Sequence, residues 1–418
     1  MTQPGQTGTA TAVRTLVVDT TVLDDTEPLL PFTDPRHPLV WSRRGAGLVG
    51  LGEALRLEFS GASRFRDAAE AWRACADAAE VHDDLRLPGT GLVAFGAFTF
   101  AATSTQTSVL IVPRTIVGRR DGVTWLTTVR FGDEPAPAAV RTGYGDEYRI
   151  TLVPGSESAE SYEQHVADAV GRIRGAALSK VVLARDLVGR VPAEADIRRV
   201  LADLSLGYPD CWTYAVDGLV GSSPETLVTV SNGIVGARVL AGTTSRGTDQ
   251  TDDHDAAIGL VTSSKDQDEH QFAVQSVLAA LRPHTAHLTT SEVPYALKLP
   301  NLWHLATDVE GTLSDGSTSL DLIAAQHPTA AVAGTPTAAA VALIDELEPF
   351  DRGRYAGPVG WVGADGDGEW AIALRSAQIS PTGELRAYAG CGIVADSVPA
   401  HELAETRMKF RPIVEAFG

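Results

Sequence analysis

The chain has 418 residues, of which 34 are basic and 53 acidic, so its formal net charge is −19. A hydrophobic content of 44% and a charged content of 21% are ordinary for a globular protein, and the chain is long enough to bury a large core without disulfides or structural metals. Nucleic-acid binders and anionic-membrane binders need a basic surface, so this charge argues against both classes.

Only four lysines occur among the 34 basic residues: Lys180, Lys265, Lys298 and Lys409. Codon bias alone explains an arginine-rich composition. Arginine cannot lose its proton, however, whereas a buried lysine can act as a base. The four lysines are therefore candidates for positions where a guanidinium group would fail.

The cysteines and the N-terminal segment indicate the compartment. Cys75, Cys211 and Cys391 are far apart, which favours free thiols in a reducing environment. Residues 1–14 lack the apolar core of a signal peptide, and no apolar run is long enough to span a bilayer. We therefore expect a disordered tail over 1–14 and a cytoplasmic protein that binds neither membranes nor nucleic acid.

Residues 15–150 have mainly strand and turn patterns. Apolar spacing predicts one helix over Ser63–His82, and a Pro- and Ala-rich segment at 131–142 is the best internal boundary. Strands are predicted over Val13–Leu23, Gly91–Ala102, Ser108–Val112 and Thr124–Val129.

From about residue 155 the patterns are denser. Helices are predicted over Ala159–Leu178, Asp252–Arg282 and Pro399–Phe417. Strands are predicted over Lys180–Val188, Leu219–Val230 (interrupted by a turn at Gly221–Pro224), Gly357–Val362, Trp370–Ile379 and Leu385–Val394. Because strands and helices do not alternate regularly, we expect an α+β fold.

Two predicted helices carry acidic residues at helical spacing. Glu402, Glu405 and Lys409 share one face of the last helix, and Lys265 and Glu269 are one turn apart in the long helix. Solvated faces with ion pairs are the ordinary outcome of such spacing. If the carboxylates of the two helices met, they would instead form an all-oxygen site suited to Mg²⁺.

Charged residues also occur next to apolar strands. Lys180 begins one strand and Glu225 follows a tight turn. Each side chain either reaches solvent at the edge of the sheet, which is the ordinary case, or is buried and has a function. A desolvated lysine and glutamic acid would form a base and acid pair. Arg375, expected in the middle of a strand, needs an anion, while His304 among apolar residues is more often a core histidine.

Two glycines could bring backbone N–H groups close to an anion. Gly242 lies in the segment Leu-Ala-Gly-Thr, and Gly392 follows Gly390 and Cys391. Tight strand ends would explain both equally well.

In chain order, nine segments resemble the chorismate-utilising enzymes, and within them the isochorismate synthases most. The segments are SKVVLAR (179–185), GSSPETL (221–227), LAGT (240–243), SSKDQDEH (263–270), LWHLATDVEG (302–311), HPTAAVAGTP (327–336), LEPFDRGRYAGPVGW (347–361), ALRSAQI (373–379) and AGCGIVADSVPAHELAETRMK (389–409). The resemblance spans about 180–417, and residues before 150 match loosely.

The resemblance implies one large fold with two mostly antiparallel β-sheets packed together and helices on the outside. Residues 15–150 would form its variable N-terminal part and residues 151–418 its chorismate-binding catalytic region. The segment at 131–142 then becomes a connection inside one structural unit. We expect a monomer whose partner is a small molecule, chorismate.

The resemblance also implies roles for single residues. Lys180 would activate water for attack at C2 of chorismate, Glu225 would protonate the departing C4 hydroxyl, and His304 would lie near the ring. Glu269 and Glu405 would bind Mg²⁺ directly, and Glu402 through water. Substrate contacts are expected at Gly242, Thr243, Ala331, Arg375, Gly392 and Lys409.

Several activities within this resemblance stay open. Isochorismate formation, feeding menaquinone or siderophore biosynthesis, is favoured because ammonia-using relatives lack a lysine at position 180. Salicylate synthases share the lysine and the glutamic acid but then eliminate pyruvate, and the small Ala331 favours the isochorismate branch. A silent binding subunit would be expected to lack one of Lys180, Glu225, Glu269 or Glu405.

Overall fold

The computed structural model describes residues 15–300 and 302–418, with only the backbone of Lys265 and Glu269. Over these residues the helices are α1 Arg64–Ala78, α2 Ala159–Arg174, α3 Ile197–Gly207, α4 Gln250–Thr262, α5 Ser264–Leu281, α6 Ser319–Gln326, α7 Thr337–Leu347 and α8 Pro399–Phe417. None of them is long and apolar enough to cross a bilayer.

The strands in the same part of the chain run as follows. They are β1 Leu16–Val22, β2 Leu39–Arg43, β3 Ala46–Leu51, β4 Leu55–Phe59, β5 Glu80–His82, β6 Val93–Ala97, β7 Ser108–Val112, β8 Thr115–Arg120, β9 Val123–Phe131, β10 Val153–Pro154, β11 Lys180–Arg190, β12 Trp212–Val216, β13 Leu219–Ser223, β14 Thr226–Ser231, β15 Ile234–Ser245, β16 Thr285–Thr290, β17 Tyr295–Lys298, β18 Leu302–Leu313, β19 Gly334–Thr335, β20 Pro358–Gly363, β21 Gly368–Ile372, β22 Ser376–Ile379 and β23 Glu384–Ile393.

These strands form two large sheets. The first runs in the order β10-β11-β23-β22-β13-β12-β2-β3-β8-β9-β1-β5, with β19 beside β11. The second runs in the order β16-β18-β15-β14-β21-β20-β6-β7-β4, with β17 beside β18. Pairing is antiparallel except between β1 and β5. The predicted α+β fold with two mostly antiparallel sheets is therefore confirmed.

Buried aromatic residues join the two sheets. Trp41 of the first sheet and Trp361 of the second are both almost fully buried. Both indole N–H groups donate to the same oxygen of Glu369 in β21, at 2.9 and 3.1 Å. The other oxygen accepts from Arg120 at 2.7 Å. The carboxylate is thus paired and hydrogen-bonded, as a buried charge between packed sheets must be.

The chain passes from one sheet to the other at two neighbouring places. Glu225 lies between β13 of the first sheet and β14 of the second, and Arg375 lies between β21 of the second and β22 of the first. The two connections are hydrogen-bonded to each other, since Ser222 N donates to Arg375 O and Ile372 N donates to Glu225 O, both at 3.1 Å. We call them the paired crossovers.

Most predicted elements are present, although the bounds of several differ by a few residues and the strand predicted over Gly91–Ala102 is limited to Val93–Ala97. Four further elements differ. The helix α8 and the strand β7 have the predicted bounds. The helix predicted over Ser63–His82 ends at Ala78, because the chain then extends into β5 beside β1. The helix predicted over Asp252–Arg282 is two helices, because Ser263 adopts an extended conformation.

The other two differences concern the crossovers. The strands predicted over Leu219–Val230 and Trp370–Ile379 are each two strands that belong to different sheets. Arg375 is consequently not in the middle of a strand, as expected, but in a connection with a φ of +49°. The predicted tail at 1–14 lies outside the described residues. Strands from residues 15–150 occur in both sheets, and the proposed division at 150/151 stays a prediction.

Candidate active site

A cavity of about 350 Å³ lies at the paired crossovers. Eleven of the twelve predicted site residues line it: Lys180, Glu225, Gly242, Thr243, His304, Ala331, Arg375, Gly392, Glu402, Glu405 and Lys409. The twelfth, Glu269, belongs to α5, but its side chain lies outside the described part of the structure, as does that of Lys265. The structure therefore brings the described candidates together, while their chemical roles stay predictions.

Lys180 lies directly over a glycine of the neighbouring strand. Strands β11 and β23 are paired, with Val181 opposite Ile393. A Cβ atom added to Gly392 would be 2.6 Å from Lys180 Cε and 3.2 Å from its Nζ. Such distances are too short for packed carbon atoms, so Gly392 leaves the space that the Lys180 side chain occupies.

Replacing Gly392 by alanine is expected to displace the Lys180 amine. If Lys180 is the base that the resemblance implies, kcat is expected to fall by about 10²-fold, since small misplacements of a catalytic group have effects of this size. Steady-state kinetics on chorismate checks this, with circular dichroism to verify folding. Gly171→Ala in α2 is the matched control, because a Cβ there meets nothing within 4 Å. Wild-type kcat in Gly392→Ala would contradict the placement of Lys180.

Glu225 is a buried carboxyl group, 8% exposed. Burial raises its pKa to about 7, although the positive charges of Lys180, Lys409 and Arg375 act in the opposite direction. A carboxyl group with this pKa holds its proton for a large part of the time at neutral pH. Glu225 can therefore donate a proton inside the cavity.

His304 and Thr243 face each other on β18 and β15, with Nδ1 2.9 Å from the threonine hydroxyl. Burial, together with the positive charges of Arg375 and Lys409, lowers the pKa of His304 to about 3. The imidazole is therefore neutral. Gly242 forms a bulge beside Thr243, with a φ of +79° that favours glycine.

Arg375 is a buried cation, 8% exposed. Within the described part of the chain, no hydrogen bond or ion pair joins its guanidinium to another side chain. Burial lowers its pKa. A buried guanidinium without an anion is costly, so the arrangement suits a carboxylate that arrives with a ligand.

An acidic cluster also borders the cavity. The ligand atoms of Cys391, Glu402 and Glu405 lie within 4.8 Å of one another. Burial strongly raises the pKa of the Cys391 thiol, whose Sγ donates to the Glu402 carbonyl oxygen at 3.3 Å. Lys409 Nζ is 2.7 Å from Glu405 Oε1. Burial raises the pKa of Glu405, but Lys409 outweighs it and the net shift is downward.

This donor set fits Mg²⁺. A neutral thiol is a poor ligand for a hard cation, which leaves the carboxylates of Glu402 and Glu405 as the donors. Glu405 is ionised at neutral pH because of its lowered pKa. Among the side chains that the structure describes, these two are therefore the ones that would hold the ion.

Sequence reasoning missed several residues that line the cavity, among them Asp266, Tyr355 and Tyr388. Asp266 opens α5, where its N–H donates to Ser263 Oγ at 3.2 Å. The Ser-x-x-Asp pattern is a helix-start signal that could have located it. The rings of Tyr355 and Tyr388 stack at 5.0 Å and 15°, and both line the cavity. Nothing in their sequence context indicates that they meet.

A buried ion pair connects two segments that line the cavity. Arg352 and Glu348 are almost fully buried, with Nη2 and Oε1 2.6 Å apart. Arg352 also donates to the carbonyl oxygens of Val182 and Val332, and Glu348 accepts from the N–H of Ala184 at 2.8 Å. The pair thus fixes the strand that carries Lys180 to the segment that carries Ala331.

Lys298 lies elsewhere, in a cluster around Asp253. Its Nζ is 3.5 Å from Asp253 Oδ2, and Trp303 Nε1 donates to Asp253 Oδ1 at 2.9 Å. Arg246 pairs with the same carboxylate. This cluster ties α4 to β17 and β18, which accounts for the one lysine that the site motifs left unexplained.

Comparisons with known proteins identify the family. A sequence model described as chorismate binding enzyme matches residues 17–142 and 146–418. The isochorismate synthase DhbC of Bacillus subtilis is 40% identical over 286 residues, which are 66% of this chain and 71% of that protein. The isochorismate synthase MenF of the same organism is 29% identical over 418 residues, covering 93% of this chain and 87% of that protein.

Solved structures of chorismate-binding enzymes have the same fold as this chain. DhbC of Bacillus anthracis superposes with a TM-score of 0.76 at 30% identity, over 93% of this chain and 98% of that one. Anthranilate synthase component I of Streptococcus pneumoniae shares the fold at 20% identity, with a TM-score of 0.71 over 94% of each chain. The chain belongs to the family of chorismate-binding enzymes.

Proposed function

We propose that this protein is an isochorismate synthase, which converts chorismate reversibly into isochorismate in the presence of Mg²⁺. The observation that carries the proposal is one cavity that combines Lys180, Glu225 with a pKa of about 7, and Arg375, whose guanidinium has no side-chain partner among the described residues. The relatives named isochorismate synthases support the choice within the family.

Arg375 and Glu225 define the substrate's orientation. Chorismate carries two carboxylates, and the guanidinium of Arg375 binds the one on the enolpyruvyl group. Lys409 and the backbone at Gly242 and Gly392 add positive potential to the same cavity. Substrate binding therefore supplies the anion that the buried Arg375 lacks.

The two proton transfers fall to different residues. Lys180 takes a proton from the water that attacks C2, and Glu225 gives its proton to the hydroxyl that leaves C4. Glu225 suits the second task because its pKa is about 7. The first task needs an amine, since a guanidinium does not release its proton near neutral pH. The neutral His304 borders the ring without adding charge.

A bound Mg²⁺ would supply positive charge for the ring carboxylate of chorismate. Glu405 and Glu269 would bind the ion directly and Glu402 through water. The Lys409 ammonium group beside Glu405 limits the negative charge that builds up around these carboxylates.

Product analysis tests the proposal. The purified protein is incubated with chorismate and Mg²⁺, and the products are separated by chromatography. Isochorismate is the expected product, and added EDTA is expected to stop its formation. Salicylate and pyruvate would favour the salicylate synthase alternative. An amino product formed with ammonium would contradict the role of Lys180, and no turnover with no Mg²⁺-dependent binding would indicate a silent subunit.

We also propose that the enzyme works as a cytoplasmic monomer. The three cysteines are free thiols, which fits a reducing compartment. Light scattering coupled to size-exclusion chromatography tests the oligomeric state against the chain mass of 44.0 kDa.

A further inference from the structure

A second, much smaller cavity lies on the far side of Glu225. Its volume is about 20 Å³, and Glu225 and Ala331 line both this cavity and the substrate cavity. Glu225 and Ala331 therefore lie between the two spaces. The small cavity lies between α5, α6, β15 and the segment that follows α6.

The small cavity contains polar atoms that the protein does not satisfy. Both side-chain atoms of Gln326, Oε1 and Nε2, and the hydroxyl oxygen of Thr329 are buried and have no hydrogen-bond partner within the described residues. Gln326 is only 6% exposed. Most of the remaining lining is apolar, and the guanidinium of Arg238 is engaged with Asp308 at 2.6 Å.

Such a site has the properties of a buried water site. A cavity of about 20 Å³ holds one water molecule, and buried waters occur where two to four polar groups converge. Burying an amide and a hydroxyl without partners is unfavourable. Glu225 lines the same cavity, so a water molecule there would lie next to Gln326, Thr329 and Glu225.

We propose that a single water molecule binds between Gln326, Thr329 and Glu225, and that it orients the Glu225 carboxyl group for proton transfer. The proposal rests on the proposed function, in which Glu225 is the general acid. The water accepts from the Gln326 amide and donates to one Glu225 oxygen. The other oxygen carries the proton and faces the substrate cavity. Gln326 and Thr329 are thus positioning residues.

The donated hydrogen bond has a defined effect on titration. It favours the ionised carboxylate, so its loss raises the pKa of Glu225. The charged groups that face Glu225 are Lys180, Lys409 and Arg375 in the substrate cavity, with the paired Arg238 on the other side. None of these groups is altered by a substitution at Gln326 or Thr329.

Two substitutions that remove the water's partners test the proposal, Thr329→Val and Gln326→Leu. A general acid must be protonated, so kcat falls as the pH rises through the pKa of Glu225. Loss of one hydrogen bond is expected to move this alkaline limb upward by about 0.5–1 pH unit, and to lower kcat on the plateau several-fold. Thr329→Ser keeps the hydroxyl and is expected to retain the wild-type limb.

A control variant and a crystal structure distinguish a failure of the proposed water site from a failure of the proposed function. Gln106→Leu, at another glutamine with a buried unpartnered oxygen but outside both cavities, is expected to leave the pH profile unchanged. A crystal structure is expected to show the water in the wild type and to lose it in Thr329→Val. This density does not depend on turnover, so it tests the water site even if chorismate is not the substrate.

The proposal is overturned by a wild-type crystal structure without an ordered water at this position. An unchanged alkaline limb in both Thr329→Val and Gln326→Leu, despite active wild-type enzyme, would also overturn it. If one of the two variants fails to fold, the other carries the test alone.

Discussion

Replacing Lys180 by arginine is expected to lower kcat by about 10³-fold or more, which lies within the contribution of general base catalysis. The substitution keeps the positive charge but removes the amine that can lose its proton. Space is a second obstacle, because the side chain already lies against Gly392. Steady-state kinetics gives kcat, and calorimetric titration of chorismate tests whether binding survives.

The matched control for this prediction is Lys298→Arg. Lys298 is a more exposed lysine, with a side chain that is 56% exposed, and it lies outside the cavity. Its replacement is expected to leave kcat within about twofold of wild type, as surface substitutions away from a site usually do. Substantial activity in Lys180→Arg would remove Lys180 from the role of base.

Replacing Arg375 by methionine is expected to lower kcat/KM by about 10²–10³-fold, because one partner of a buried charge pair is lost. The same substitution is expected to maintain or raise the Tm of the ligand-free protein. The reason is that a buried guanidinium without an anion pays for desolvation and gains no ion pair in return. The protein would become more stable and less able to bind chorismate.

Arg354→Met provides the contrast. Arg354 is also buried, but its Nη2 is 2.7 Å from Asp217 Oδ2. Removing it leaves Asp217 without this partner, so the Tm is expected to fall while the KM for chorismate is unchanged. Thermal unfolding with and without chorismate measures both variants. Wild-type affinity for chorismate in Arg375→Met would contradict the assignment.

The sequence predicted the final helix and the shared face of its charged residues well because the pattern there is local. A proline at the start defines where α8 begins, and the spacing of Glu402, Glu405 and Lys409 places them on one face. The cavity lies along that same face. Local spacing was enough to place these residues on one face, whereas only the resemblance implied that the face borders a binding site.

The conformation at Arg375 could not be predicted in this way. Its neighbours Leu374 and Ser376 favour a continuous strand, and no glycine or proline marks a break. The left-handed φ of +49° is instead imposed by the crossover, where Ser222 donates to the Arg375 carbonyl oxygen. Ser263 is similar, because one extended residue divides a run that otherwise reads as one helix.

The small cavity behind Glu225 was equally invisible in the sequence. Gln326 ends α6 and Thr329 follows it, and neither resembles a catalytic motif by itself. Their importance depends on Glu225 approaching them from a distant part of the chain. Cavities and unsatisfied polar atoms are properties of packing, which spacing along a sequence does not encode.

The paired crossovers also constrain when the protein can become active during its synthesis. Glu225 emerges from the ribosome long before Arg375, and the strand of Lys180 must wait for β23 to pair with it. Pairings between such distant segments form slowly, because long loops must close first. Glu405 and Lys409 arrive later still, on α8. The lining of the cavity is therefore complete only after α8 has docked.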